Sequence, residues 1–583
     1  MKGKKLWPLL LIFVLILAAC NSNSSSNEEG GSEAAGEPQK GGELVGAMDT
    51  PPEGVFNPIF YSSSYENNIL QFTHDGLITQ NDKLEFLPSL AKDWDLSEDQ
   101  TSVTFTLNEG VKWQDGEPFT ANDVVFTYKT ISDPDYVAAG GIRTDYVVRL
   151  KGYQDYSTGK TDKFEGVVAD GDNKVTFYFE ESNIQALSDA SLQIIPEHIF
   201  KDIPVKDIPK APETREAGKV IGTGPFKFAQ EVQGEQYVLE KNPDYFDGEP
   251  YLDKVTWRVM EQSVILGELE SGSVDFVADP NGFPPADYDT VKDMENISII
   301  EQPQFGYQIM GMSINHRSKE DAQAGVIKPE QFVPNKKLQS KEVRQAIAYA
   351  VDRQKLIDGL LYGHGDVVNS PIPRNFSAYD EEKPNQYKFD PDKAKELLDG
   401  AGYKDTNGDG FREDPEGKEW VLNLNYPKGN QTREKSAPII KQFLEDVGIK
   451  IDLRQPMESA SYFESLEKNN FDWDLYLIGW SLSSTDPDPS GIYGASAAYN
   501  YGRWNNQEAE DLIKKANTPP DALDKDFRDG VFSDWQVKFQ DEMPAFILYA
   551  PNDLWAHNNR LHGIEPLPYS MLNKTHKWWV SQN

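Results

Sequence analysis

The chain carries one cysteine, Cys20, among its 583 residues. No internal disulfide can form, and a Cys-rich zinc or iron–sulfur site is ruled out. At about 150 residues per domain the length suggests three or four domains, ample for proper cores. With 38% hydrophobic and 11% aromatic residues the body has the composition of a globular protein. Charge narrows the function: 57 Lys and Arg against 95 Asp and Glu give a net charge of −38. That excess repels phosphate backbones and anionic lipid surfaces, which excludes a general nucleic-acid binder.

The position of the cysteine is informative in turn. Lys2, Lys4 and Lys5 precede an apolar run from Leu6 to Ala19. The run is shorter than the roughly 20 residues a spanning helix needs, so it has the form of a signal-peptide core. It ends Leu17-Ala18-Ala19-Cys20, which resembles the lipobox of bacterial lipoproteins. The resemblance implies removal of residues 1–19 and acylation of Cys20, an anchor that needs no spanning helix. Residues 20–40 then form a Ser/Asn/Glu/Gly-rich tether. Losing three lysines and no acids takes the charge of the mature chain from −38 to −41.

Beyond the tether the pattern is mixed α and β. Val103, Phe105 and Leu107 alternate along one strand face, and further strands are expected at 237–240, 254–259, 307–314 and 420–426. Thr120 and Asp123 form a capping box before a helix with Val124, Phe126 and Tyr128. Ser340 opens a second helix with Val343, Ala346, Ile347, Ala350 and Val351 on one face, and Pro391 opens a third. No fixed-period repeat stands out. Pro/Gly-rich or charged stretches at 203–217, 279–288 and 318–337 are candidate boundaries or insertions.

Six segments together resemble the family 5 solute-binding proteins, the oligopeptide- and dipeptide-binding proteins of ABC importers. They are Gly110–Tyr128, Gly222–Phe228, Asn242–Phe246 with Pro250–Asp253, Val343–Arg353, Asp472–Trp480 and Trp578-Trp579. The resemblance covers residue 41 to the end. It implies an α/β, two-lobed periplasmic-binding-protein-like fold of type II, with an extra subdomain and a ligand enclosed between the lobes. The first lobe is expected at 41–305, with the subdomain at 85–218, the second at 306–544, and a C-terminal return to the first at 545–583. A monomer is expected, with permease subunits as partners, at the extracytoplasmic face of the bacterial membrane. Other solutes such as nickel chelates, opines or oligosaccharides are the alternative ligands within this architecture, and a secreted hydrolase is the alternative from another class.

By the same resemblance a peptide lies as an added strand between the lobes. One edge is expected at Ser62, Ser63 and Ser64, the other at Gly479, Trp480, Ser481, Leu482 and Ser483. Peptide binders of the family place an aspartate three residues after the equivalent tryptophan. Here that position is Ser483, so Asp486, or Asp488, is the candidate partner for a ligand ammonium. Arg374, Lys428, Arg433 and Arg503 are candidates for the ligand carboxylate.

No cofactor is required on this reading, but a structural Ca²⁺ is a candidate. Residues 405–416 match the calcium-loop template, with Asp405, Asn407, Asp409, the Phe411 carbonyl and Glu416 as ligands. The same Asn-Gly-Asp-Gly also suits an acidic turn without metal, and a strand rather than a helix is expected to follow. No Gly-x-Ser-x-Gly elbow, His-Glu-x-x-His or phosphate loop occurs, so no enzyme activity is expected.

Overall fold

Strict alternation makes Ser102–Leu107 a strand, and its Val103, Phe105 and Leu107 are buried as the period requires. In the same way Thr120 caps the helix Ala121–Ile131: its main-chain N–H donates to Asp123 Oδ2 at 2.8 Å, and its hydroxyl accepts from Asn122 N at 3.3 Å. The computed structural model describes residues 37–581 apart from 281, 325, 429, 469–471 and 483. The leader, Cys20 and most of the tether thus lie outside the described residues, as does Ser483. Among the described residues no helix is long and apolar enough to cross a membrane.

Residues from Pro38 onward form one unit around a 12-stranded sheet. The sheet runs from Lys450–Leu453 and Val421–Asn425 through Leu475–Ser481 and Gly306–Met312 to Ala545–Asn558. It continues through Phe276–Val277, Glu43–Met48, Lys254–Val259 and Gln236–Lys241 to Phe226–Val232. The strand Ala545–Asn558 is the link. Its first half pairs antiparallel with Gly306–Met312, Ala545 opposite Gly311 and Ile547 opposite Ile309. Its second half pairs with Ile297–Pro303, Asn552 opposite Pro303 and Asn558 opposite Ile297.

The two halves enter different cores. Ala545–Ala550 packs with Tyr307, Ile309, Leu424, Leu475 and Trp535 in the second lobe, while Trp555 joins Leu44, Trp257 and Phe276 in the first. The return to the first lobe therefore falls near residue 551, later than the expected 545. A third core belongs to the subdomain, whose sheet is ordered Ala91–Leu96, Ser102–Leu107, Lys174–Tyr178, Val167–Ala169. That core takes in Ile59, Phe60, Leu77 and Ile78 as well, ahead of the expected start at 85. Periodicity marks these side chains as buried but not the layer they join.

The C-terminus closes the first-lobe core. Trp578 is fully buried, edge-on to Phe72 at 6.1 Å and to Phe276 at 5.6 Å. Trp578→Ala should lower unfolding free energy in urea by about 3–5 kcal/mol, the cost of emptying a core tryptophan site. A loss under about 1 kcal/mol would show that the C-terminal return is not part of that core.

Candidate functional site

Between the lobes lies a cleft of about 1090 Å³. The helix Ser64–Thr73 forms part of one wall, because Ser63 opens it there: the Ser63 hydroxyl accepts from Tyr65 N at 3.2 Å. Of the expected serine edge only Ser64 lines the cleft. Ser63 is spent on the cap, and Ser62 donates to Glu53 at 3.3 Å on the exposed side.

The opposing edge comes from the end of the strand Leu475–Ser481. Ser481 and Leu482 line the cleft, together with Ser484 and Thr485. Gly479 and Trp480 do not. A Cβ on Gly479 would stand 2.4 Å from the Gln308 side chain, so the glycine is there for close approach. Trp480 stacks on Tyr501 at 5.9 Å and meets Tyr499 edge-on at 5.6 Å, packing within its own lobe. Its neighbours do reach across. Gln80 Nε2 donates to Ser484 O at 2.9 Å, and Ser188 Oγ to Thr485 Oγ1 at 2.7 Å. Tyr569 OH donates to Gln80 Oε1 at 3.0 Å. Sequence reading missed Gln80, Ser188 and Tyr569, because nothing local marks a polar residue whose partner is hundreds of positions away.

Asp486 is corrected by the structure. Both of its oxygens accept from the Arg528 guanidinium, each at 2.9 Å, and the pair is largely buried, with the Asp486 charge felt by Arg149 and Asp189 of the subdomain across the lobe boundary. Asp488 accepts from Ser490 and from Asn517 Nδ2. Neither lines the cleft. The cationic candidates are also committed elsewhere: Arg374 to Asp366, Lys428 to Glu458, Arg433 to Gln308, and buried Arg503 to main-chain carbonyls. The cations that do line the cleft include Lys92, Arg143 and Lys574. Arg143 lies 4.3 Å over the Tyr61 ring and donates to Tyr61 O at 3.1 Å.

The loop at 405–416 folds on itself. Asp405 accepts from Gly408 N and Gly410 N, Asn407 from Asp409 N, and Asp409 from Phe411 N. Glu413, rather than Glu416, turns inward to Thr406 and Asn407. The chain then reverses at 414–417 and carries Glu416 out to Lys418 at 2.5 Å. The last position of the template is thus removed by a hairpin where a calcium loop has a helix. Among the described residues no group of three or more His, Cys, Asp or Glu is placed to hold a metal ion.

Three carboxyls on the cleft wall are perturbed. Burial pushes Asp75 up to about 6, opposed by donors from Thr223 and Tyr245. Burial pushes Asp279 up to about 6, opposed by Ser570 Oγ and Met571 N. Asp553 is pushed up to about 7 by burial and then by the charge of Asp279. A raised carboxyl binds its proton more tightly in the folded chain than in the unfolded one. Stability therefore falls as pH rises from the ordinary carboxylate range towards about 7. Asp553→Asn should raise the melting temperature of ligand-free protein above neutral pH and flatten the decline between pH 5 and pH 8, by roughly the share one such group contributes. A profile superimposable on that of the native chain would contradict this assignment.

Comparison with known proteins places this architecture. The family described as bacterial extracellular solute-binding proteins, family 5 Middle, matches residues 85–502. The oligopeptide-binding protein AppA of Bacillus subtilis (strain 168) is 30% identical over 560 residues, 94% of each chain. The structure of AppA in complex with a nonapeptide superposes with a TM-score of 0.70 at 29% identity, over 94% of this chain and 100% of that one. Lactococcal OppA, complexed with an endogenous peptide in the closed conformation, gives 0.73 at 26% identity over 92% and 99%. With its two lobes, its subdomain and its enclosed cleft, the chain belongs to the bacterial extracellular solute-binding proteins of family 5.

Proposed function

We infer that this chain is the peptide receptor of an ABC importer, held at the extracytoplasmic face of the bacterial membrane by a lipid on Cys20. It captures peptides and passes them to permease subunits. The observation that carries the reading is the cleft. At about 1090 Å³ it stands at the top of the roughly 300–1,000 Å³ range of ligand pockets, and it is lined by many polar groups from both lobes. The strand Leu475–Ser481 pairs with Val421–Asn425 only as far as Tyr476, so an extended peptide can add along its last residues, with affinity that does not depend on side-chain identity. The peptide complexes of AppA and lactococcal OppA support this reading.

Two chain crossings between the lobes, near 303–306 and 550–552, lie side by side, with Gln304 N donating to Pro551 O at 2.8 Å. Adjacent crossings suit rigid-body closure around a ligand. On this reading the work of the protein is differential binding by open and closed forms, with no covalent step. The bonds from Gln80 and Ser188 to Ser484 and Thr485 would then contribute to the closed form.

Native mass spectrometry of protein extracted from membranes of cells grown in rich medium tests both parts. Co-purified peptides of mixed mass are expected, on a chain that begins at Cys20 and carries acyl mass. A single discrete non-peptide ligand would overturn the peptide assignment. A chain beginning elsewhere, or without acyl groups, would overturn the anchor.

A further inference from the structure

The fold supplies an arginine to several of its buried acids. Asp275, next to the strand Phe276–Val277, is held by Arg560 at 2.7 and 2.8 Å, and Asp486 by Arg528. Three acids on the cleft wall receive no such partner; Asp75 has a hydroxyl donor for each oxygen, from Thr223 and Tyr245, whereas Asp279 and Asp553 are less well served. Asp279 takes neutral donors alone, Ser570 Oγ at 2.9 Å and Met571 N at 3.0 Å. Asp553 accepts a long bond from Gln304 Nε2 at 3.3 Å. The two are neighbours, since Asp553 lies in the strand that pairs with Phe276–Val277, and the charge of Asp279 acts on it. No lysine, arginine or histidine among the described residues is ion-paired with either.

A third group points the same way. Asn68 is 1% exposed and belongs to the same wall. Its Nδ2 donates to Asp279 O at 2.6 Å, and its Oδ1 has no donor. An unpartnered acceptor and two carboxylates short of donors define a need for a donor-rich, positively charged group. We propose that Asp279, Asp553 and Asn68 form a subsite for a cationic nitrogen of the bound ligand, either an amino terminus or a lysine or arginine side chain. The proposal rests on the peptide reading above, and it moves cation recognition away from the Asp486 stretch to the crossing strand and its neighbour.

Isothermal titration of ligand-stripped protein with three mixed-sequence peptide libraries of equal length tests it. One has a free amino terminus and no basic residue, one is N-acetylated with no basic residue, and one is N-acetylated with a single internal lysine. At least one amine-bearing library should bind about 10- to 100-fold tighter than the neutral one, the size of a charge-assisted bond, and which one does so identifies the nitrogen. In Asp279→Asn/Asp553→Asn protein that ratio should fall to about one. Should the double variant fail to fold, Asp553→Asn alone, which disturbs a single long bond, should lower the ratio several-fold. Equal affinity of the native chain for all three libraries, or a ratio that survives the substitutions, would overturn the subsite and leave the peptide reading standing. No binding of any library would overturn the peptide reading, and the subsite with it.

Discussion

The strand Ala545–Asn558 carries the architecture. It is hydrogen-bonded to Gly306–Met312 in one lobe and to Ile297–Pro303 in the other, so a single run of backbone bonds spans two cores. Each half is fixed by its own apolar neighbours, which leaves the short stretch between them as the place where the lobes can turn. The antiparallel partner bends at the same level, because Pro303 ends one strand and Gly306 begins the next. A Cβ on Gly306 would meet Trp480 O at 2.2 Å. The turn point and the end of the strand Leu475–Ser481 are thus packed directly on one another, and a change in one is felt by the other.

Electrostatics divide the molecule in a similar way. Some acids away from the cleft, Asp189, Asp275 and Asp486, are given arginines, and the resulting pairs tie distant segments together, as Arg528 ties the long helix Lys525–Glu542 to the loop at Asp486. Asp75, Asp279 and Asp553 on the cleft wall are left with hydroxyls, a side-chain amide and a main-chain N–H group. A wall of this kind is poorly satisfied when the cleft holds nothing but water, and a cationic ligand removes the mismatch. The net charge of −38 therefore has a local meaning beyond solubility.

Much of the fold was legible in the sequence because the signals are local. Thr120 with Asp123, Ser340 before Val343, and the alternation at 102–107 each require only neighbours in the chain, and each appears in place. The family motifs were legible for the same reason, being scaffold turns and strand ends. The site was much less so. Ser63 proved to be a cap, Trp480 a packing residue and Asp486 half of an ion pair, because a polar or aromatic side chain has the same letter whether it faces a ligand, a helix end or an arginine. Gln80, Asp279 and Asp553 carried no local signal. Their roles arise only when segments hundreds of residues apart are brought to one wall.

Closure of the lobes about the crossing strand is the claim on which the functional account depends. Cys20 is the one cysteine of the sequence, so once it is replaced labels can be placed at will. Spin labels at Lys83→Cys in the first lobe and Lys514→Cys in the second, both exposed positions, give the interlobe distance by pulsed dipolar spectroscopy. The account predicts a broad, longer distribution in ligand-stripped protein that collapses to a single shorter distance on adding peptide. An identical distribution with and without bound peptide would contradict it.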